Sequence, residues 1–485
     1  MLLILPGIFS LYAWLATDGG RTKLPRETTF YYDMLADALA SGQTFLEQAP
    51  DPRLARLVNP YDPTERAGIP KCRQDTTSGC YVLDASYFDG KFYLYWGPAP
   101  AVILAVLKIG GFGKLGDASI ALVAACALAS LLIVCLVDLW HRHFFRLPRW
   151  LLVPPLLLAG LAYPLPWILD APRIYEAAIL AGAAFLVGGL ALALPALASG
   201  DHSPWRLTLA GILWSMAFGS RVVLALPIAV LAGAIVWRLV RLRPIHSHPR
   251  SVWKSLASLA FPMAVSTSLI GLYNFVRFSN PLETGWRFAL AGSGAQSPGL
   301  RAAFNVGNIP TNIYNYLLAR VSWSGHFPFI EPALATRAVG PIQIPHPGVF
   351  HGEHVTGLLI TTPFLLFAIY LCWWLTCASV DCAGATGKGV SSAPPDQAGF
   401  HGLVVVLLLA GLAAFLPILC VYAVSARYLL DVSPILTVLA ALGAWNAYET
   451  ARTPATRWLI GSAIVAMVAV SGVVSILLAV DNLSR

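Results

Sequence analysis

Charge is what this sequence has least of. Lys, Arg, Asp and Glu make up 12% of its 485 residues and hydrophobic residues 57%, with a mean hydropathy of +0.68. A soluble domain carries about a quarter charged residues, so the composition excludes an ordinary soluble globular protein. The few charges are clustered. They leave apolar runs of roughly 18 residues or more, each long enough to cross a hydrocarbon core of about 30 Å as a helix. Acidic residues are missing from the middles of these runs, where ion-coupled transporters place ionisable groups, and no internal repeat is visible. The net charge of +8 does not point to nucleic acid in a chain this apolar. Basic loops that hold an orientation in the membrane account for it.

A basic residue is also missing ahead of the first apolar stretch. Leu2–Ala16 is about 15 residues, or roughly 22 Å as a helix, and without a basic flank it makes a poor signal peptide. It reads as a shortened first span with residues missing upstream, and a cleaved signal is the lesser alternative. Further spans are expected at Gly116–Trp140, Trp150–Leu169, Ile174–Ala198, Trp205–Ser220, Val222–Arg238, Ser255–Val276, Val355–Cys377, Gly402–Val424, Tyr428–Trp445 and Trp458–Val480. The reading is an all-α polytopic membrane protein of about eleven transmembrane helices, with a large outward first loop carrying juxtamembrane helices. Pro98–Gly111 is too short and too rich in Gly and Pro to span, and reads as a re-entrant or interfacial helix.

Orientation follows from the arginines. Arg142, Arg146 and Arg149, then Arg238, Arg241, Arg243 and Arg250, then Arg452 and Arg457 all fall on one side of this span order, which is therefore expected to be cytoplasmic. The chain is one integral-membrane unit over 1–485. It has outward loops over 17–95 and 277–354 and a Gly/Ser/Pro-rich cytoplasmic linker over 379–399, centred on Ala383–Gln397. Of the eight cysteines, Cys72 and Cys80 stand in the first outward loop. That is the oxidising side, so they are candidates for a local disulfide, with two free thiols as the alternative. The others sit in or beside spans as packing residues.

Within the first outward loop, Phe30, Tyr31, Met34, Leu35, Ala38 and Leu39 recur at helical spacing and describe an amphipathic helix on the membrane. Glu27 precedes it, and Asp33 and Asp37 share its other face. Such carboxylates are either a solvated helix face or a general base at the lip of a membrane cavity. The aromatic segment from Leu83 to Pro98 has the composition of an interfacial anchor, but anchoring does not explain Asp84 and Lys91 within it. Charges also gather at expected outer span ends: Asp170, Arg173 and Glu176, then Arg221, then Arg427 with Asp431 one turn on. Charge near the bilayer has either a partner or a function. Lys91, Arg221 and Arg427, predicted at one membrane face, together suit a phosphate or diphosphate. His346, His351 and His354 with Glu353 match no zinc-ligand spacing and read as surface histidines.

Several of these segments match a family pattern. Anchored on Ser41-Gly42, Glu27-Thr28-Thr29-Phe30-Tyr31 falls where that pattern has an acidic pair before a Tyr. Gly90-Lys91-Phe92-Tyr93-Leu94-Tyr95-Trp96 is similar to a Lys-Pro-Pro segment ending in Tyr-Trp, without the prolines. Pro172-Arg173-Ile174-Tyr175-Glu176 is similar to its outward charged turn, Ala217-Phe218-Gly219-Ser220-Arg221 to a turn holding Lys or Arg, and Ala426-Arg427-Tyr428-Leu429-Leu430 to an Arg-Tyr motif opening a late span. The arrangement resembles the GT-C superfamily of integral-membrane glycosyltransferases. It looks closest to the bacterial aminoarabinose transferases, protein mannosyltransferases and their uncharacterised relatives.

The resemblance implies a sugar donor on a polyprenyl phosphate, delivered within the outer leaflet, and a lipid, glycan or protein acceptor. It implies an inverting displacement in a bacterial inner membrane with the active site facing the periplasm. No cofactor is expected, and a divalent metal is compatible with the sequence but not indicated by it. Lys91, Arg221 and Arg427 would bind the leaving phosphate, with Arg173, Glu176 and Tyr31 lining the cavity. The base would be Glu27, then Asp33, then Asp84, in that order of preference. The family has Asp where this chain has Glu27 followed by Thr28. Either Glu27 replaces it, or Asp33 does the work, or the chain is an inactive lipid-binding protein. A transporter or flippase is the remaining alternative.

Overall fold

Apolar runs fold as helices because a backbone withdrawn from water must satisfy its own N–H and C=O groups. The computed structural model describes residues 3–73, 77–201, 203–241, 249–291, 303–339, 342–344, 350–384 and 395–484. Its helices are α1 (Ile4–Ala16), α2 (Tyr31–Ala40), α3 (Ala99–Ile109), α4 (Asp117–Leu139), α5 (Val153–Leu161), α6 (Ile174–Ala198), α7 (Pro204–Ser220), α8 (Ala225–Arg241) and α9 (Pro249–Phe278). After α9 come two short helices, α10 (Ile309–Ile313) and α11 (Leu358–Thr361), then α12 (Leu366–Gly384), α13 (Pro395–Cys420), α14 (Ser433–Thr450) and α15 (Pro454–Ser484).

Among the described residues six helical stretches are long and apolar enough to cross a membrane: Asp117–Phe144, Ile174–Ala198, Val222–Arg241, Val252–Phe278, Gly399–Cys420 and Pro454–Leu483. The other five expected spans are shorter or broken. Helix α1 has 13 residues and α7 has 17. Trp150–Leu169 holds only the short α5 between single turns at Arg149–Leu152 and Trp167–Leu169, because Pro164 and Pro166 lack N–H donors and end the helix. Val355–Cys377 breaks at Thr362, which is non-helical before Pro363, as the residue preceding a proline tends to be. Tyr428–Trp445 begins with a turn at Ala426–Asp431, and α14 starts only at Ser433. The chain is also not purely helical: short two- and three-stranded sheets form between 49 and 93 and between 321 and 355, with one strand at Ala423–Val424.

Helix α6 sits centrally, packed on α4 and α7, with α9 beyond α7. Most of its residues from Ile174 to Ala198 are buried. The basic segments meet at one end of this bundle. Arg142 donates to Ser199 Oγ at 3.2 Å, and Arg238 donates to the carbonyls of Leu197 and Ala198. Arg243 and most of the 239–250 and 383–397 segments lie outside the described residues. Glu27, Asp84, Arg221 and Arg427 belong to the opposite end, where α2, α3, α4, α6 and α7 present their site-side termini.

Candidate functional site

The acids nearest α2 are used structurally. Glu27 Oε2 accepts the Ala118 N–H at 2.9 Å, and Oε1 accepts the N–H and hydroxyl of Ser119 at 3.0 and 2.5 Å. These are orphan donors of the first turn of α4, which attract an anion. Asp117, the first residue of α4 and fully buried, returns the favour. It accepts from the N–H groups of Tyr31 and Tyr32 at 3.0 and 3.1 Å and from the Thr29 hydroxyl at 2.6 Å. Each helix start is thus closed by a carboxylate from the other's chain segment. A side chain at Gly116 would collide with the Glu27 carboxylate, so only glycine lets the acid reach α4.

Asp33 is not on a solvated face. It is buried, pairs with Lys108 Nζ at 2.8 Å and accepts the Leu115 N–H at 2.9 Å. Asp37 reaches the same ammonium at 2.5 Å. Lys108 of α3 therefore ties down the acidic side of α2. These groups line a cleft of about 270 Å³ together with Tyr31, Val82, Cys72 and Lys114.

The three cations expected to share one anion each have their own partner. Lys91 is exposed on the hairpin strand Lys91–Tyr93, with its ammonium 4.4 Å from the centre of the Phe45 ring. Arg221 donates through Nε to both oxygens of buried Asp431 at 2.7 and 2.8 Å. Arg427 donates to Glu176 at 3.2 Å and to Glu353 at 2.6 Å, and its Nε is buried without a partner among the described residues. Burial alone disfavours the Arg427 charge, but Glu176, Tyr428 and Glu353 outweigh it and hold the group firmly protonated. Arg221 and Arg427 are close enough to feel each other's charge, and both lie near the Tyr428 ring at 5.2 and 5.7 Å. Lys91 is directed elsewhere.

Asp84 occupies the centre of what remains. Its backbone is in the left-handed region, φ 59°, a conformation that Asp tolerates better than most residues. The Asp84 N–H is fixed to the Leu290 carbonyl at 3.0 Å. Two residues on, the strands Ser86–Phe88 and Lys91–Tyr93 pair antiparallel through Asp89-Gly90, both with positive φ, as a tight two-residue hairpin turn requires. Gly97 then packs directly on the Gly219 carbonyl, leaving no room for a Cβ, and this close approach brings the aromatic segment to the Arg221 turn.

Asp84 Oδ2 accepts a short hydrogen bond from the Tyr175 hydroxyl. Burial pushes its carboxyl above the ordinary aspartate value. The Tyr175 hydrogen bond and the charges of Arg173, Arg427 and Lys71 oppose that rise without cancelling it. Around it stand Tyr31, whose hydroxyl donates to the Leu83 carbonyl at 2.7 Å, and Trp96, stacked on Tyr95 at 4.0 Å and set edge-on to Tyr175 at 5.3 Å. The Arg427 guanidinium lies 4.7 Å from the centre of the Tyr175 ring. Arg173 is exposed, its N–H capped by Glu176 at 2.8 Å, and its guanidinium makes no ion pair among the described residues.

Sequence reasoning missed Asp117 and Lys108 and the roles of Tyr175 and Glu353. Glu353, grouped with histidines by proximity in sequence, holds Arg427 and accepts the Ser425 hydroxyl at 2.6 Å. His351 is 3.7 Å from it, and His346 lies outside the described residues. Cys72 and Cys80 are joined as a disulfide.

No protein-family model matches the chain, and no curated protein does. Among solved structures it is similar to the apo-form crystal structure of an oligosaccharyltransferase from Archaeoglobus fulgidus, with 11% identity and a TM-score of 0.44 over 99% of this chain and 56% of that one. The chain thus spans little more than half the length of that protein, and the likeness assigns no residue here a role.

Proposed function

We propose that the protein is a membrane glycosyltransferase that moves a sugar from a polyprenyl-phosphate donor to an acceptor hydroxyl, with Asp84 as the general base. The observation that carries this reading is the position of Asp84. It is a half-buried carboxyl with a raised pKa, held by Tyr175 within reach of the charges of Arg427 and of Arg173, which makes no ion pair among the described residues. A base whose pKa approaches the working pH is the more effective.

In this reading the acceptor oxygen attacks the anomeric carbon and its proton passes to Asp84. The bond from that carbon to the phosphate oxygen breaks, and the leaving phosphate keeps the electron pair. Arg173 meets the phosphate, and Arg427 adds a fixed positive field behind it. The attack is in line, so configuration inverts. The half-buried rings of Tyr31 and Tyr95, stacked on buried Trp96, offer the sugar an apolar surface, and the cleft beside Tyr31 and Val82 offers the acceptor a way in. The Asp84 end faces outward and the arginine-rich end inward.

A second reading, an inactive lipid-binding protein, draws on the engagement of Glu27 and Asp33 in caps and ion pairs. Purified protein in nanodiscs, given a panel of polyprenyl-phosphate hexoses and pentoses with water and simple alcohols as acceptors, distinguishes the two. The transferase reading expects release of polyprenyl phosphate from at least one donor, lost in Asp84→Asn. Binding of donors without release in any of them supports the inactive protein.

A further inference from the structure

We propose that the basic end of the bundle carries a site for an anionic glycerophospholipid, in the groove where α15 begins. The groove is about 630 Å³ and is lined by Trp150, Tyr448, Arg457, Trp458, Gly461 and Ser462, continuing onto Val465 and Ala466. Its depth comes from Gly461, where a Cβ would press to 2.9 Å against the Trp150 ring. Trp150 and Trp458 are 45% and 73% exposed, and they flank the mouth as aromatic rings do where hydrocarbon meets headgroup.

The polar groups of the groove are set for a phosphate. Arg457 spends Nε on the Ala451 carbonyl at 3.1 Å, which fixes the side chain and leaves both terminal nitrogens without partners among the described residues. Ser462 is exposed, and its hydroxyl makes no hydrogen bond among the described residues. Two donors of this kind, a fork and a hydroxyl, suit a phosphodiester. Val465 and Ala466, further along α15, give an acyl chain an apolar trough.

Charge chooses the lipid. Arg146 and Glu449 are neighbours close enough to interact, and the other charges close in sequence to the groove are Arg149, Arg452 and Arg457 itself. The surplus is positive, so a headgroup with net negative charge fits better than a zwitterion. Neither Asp84 nor any group assigned to sugar transfer takes part, so this site stands or fails apart from that reading.

Native mass spectrometry of the full chain, delipidated and offered phosphatidylglycerol or phosphatidylcholine with identical acyl chains, tests the site. Phosphatidylglycerol should be retained preferentially, and Arg457→Gln should lower its retention about fivefold, the worth of one basic residue at an anionic surface. Ser462→Leu, which fills the groove from an exposed position, should do the same. Lys254→Gln, which removes an exposed charge on α9 that does not line the groove, should leave retention near wild type. Thermal melting of each variant confirms folding. Equal losses in Lys254→Gln and Arg457→Gln, or no preference in the wild type, overturn the proposal.

Discussion

Tyr175 donates its hydroxyl proton to Asp84 across 91 residues of sequence, joining the first turn of the central α6 to the aromatic loop. The contact occupies one carboxyl oxygen, and in the proposed transferase the other takes the substrate proton. Burial raises the Asp84 pKa, so on acidification the carboxylate takes up its proton at a higher pH than an ordinary aspartate. A base must be unprotonated, so the acid limb of the rate profile should lie above the normal aspartate range. Tyr175→Phe removes the hydrogen bond that favours the charged form, so it should move that limb to still higher pH. A profile from pH 4 to pH 8 on both proteins checks the direction.

Glu27 is a cap in this structure, so its variants should read as stability and not as chemistry. Glu27→Gln keeps an acceptor for Ala118 and Ser119 and should cost about 0.3–1 kcal/mol from the lost charge at the start of α4. Glu27→Ala should cost about 0.5–2 kcal/mol, as lost caps do. Thermal melting in detergent together with the transfer rate separates the effects. Turnover per folded molecule should stay within a fewfold of wild type.

The Arg221–Asp431 pair is buried, with side-chain exposures of 19% and 1%. Removing one partner strands the other charge, so Asp431→Asn should destabilise the protein by about 3–5 kcal/mol. Replacing both with apolar residues should restore much of that loss. Melting temperatures of the two single variants and the double variant give the comparison.

Cys72 and Cys80 close a loop with a sequence separation of 8. Opening so short a loop should cost about 2–3 kcal/mol of local stability. Hydrogen exchange in Cys72→Ser should therefore quicken across Cys80–Val82 and the nearby cleft wall, while α6 and α14 keep wild-type protection.

Much of the architecture was legible because it rests on runs of one residue type. Six of the expected spans coincide with long apolar helices, and the clustered arginines foretold a basic end. The failures have local causes. Prolines at 154, 155, 164, 166 and 363 turn hydropathic runs into short helices and turns, which hydropathy alone does not register. The acids were visible, but their partners were not. Nothing in the spacing announces that Lys108 answers Asp33, that Asp117 caps α2, or that Glu353 meets Arg427 from 74 residues away. Gly116 beside Asp117 and Ser119 was the one readable sign that the start of α4 receives an anion. Asp84 was legible as a charge without an anchoring role, but its burial and its Tyr175 partner are properties of the fold.

The most direct test compares Asp84→Asn with Glu27→Gln and Asp33→Asn in a single-turnover transfer assay, using folded protein and a donor that the wild type consumes. Loss of a general base costs about 10²–10⁴-fold in rate. Asp84→Asn should fall by that factor with donor binding intact, while the other two retain turnover once corrected for their folded fraction. Wild-type turnover in Asp84→Asn, with collapse in Glu27→Gln, would contradict the assignment and return the base to the cap of α4.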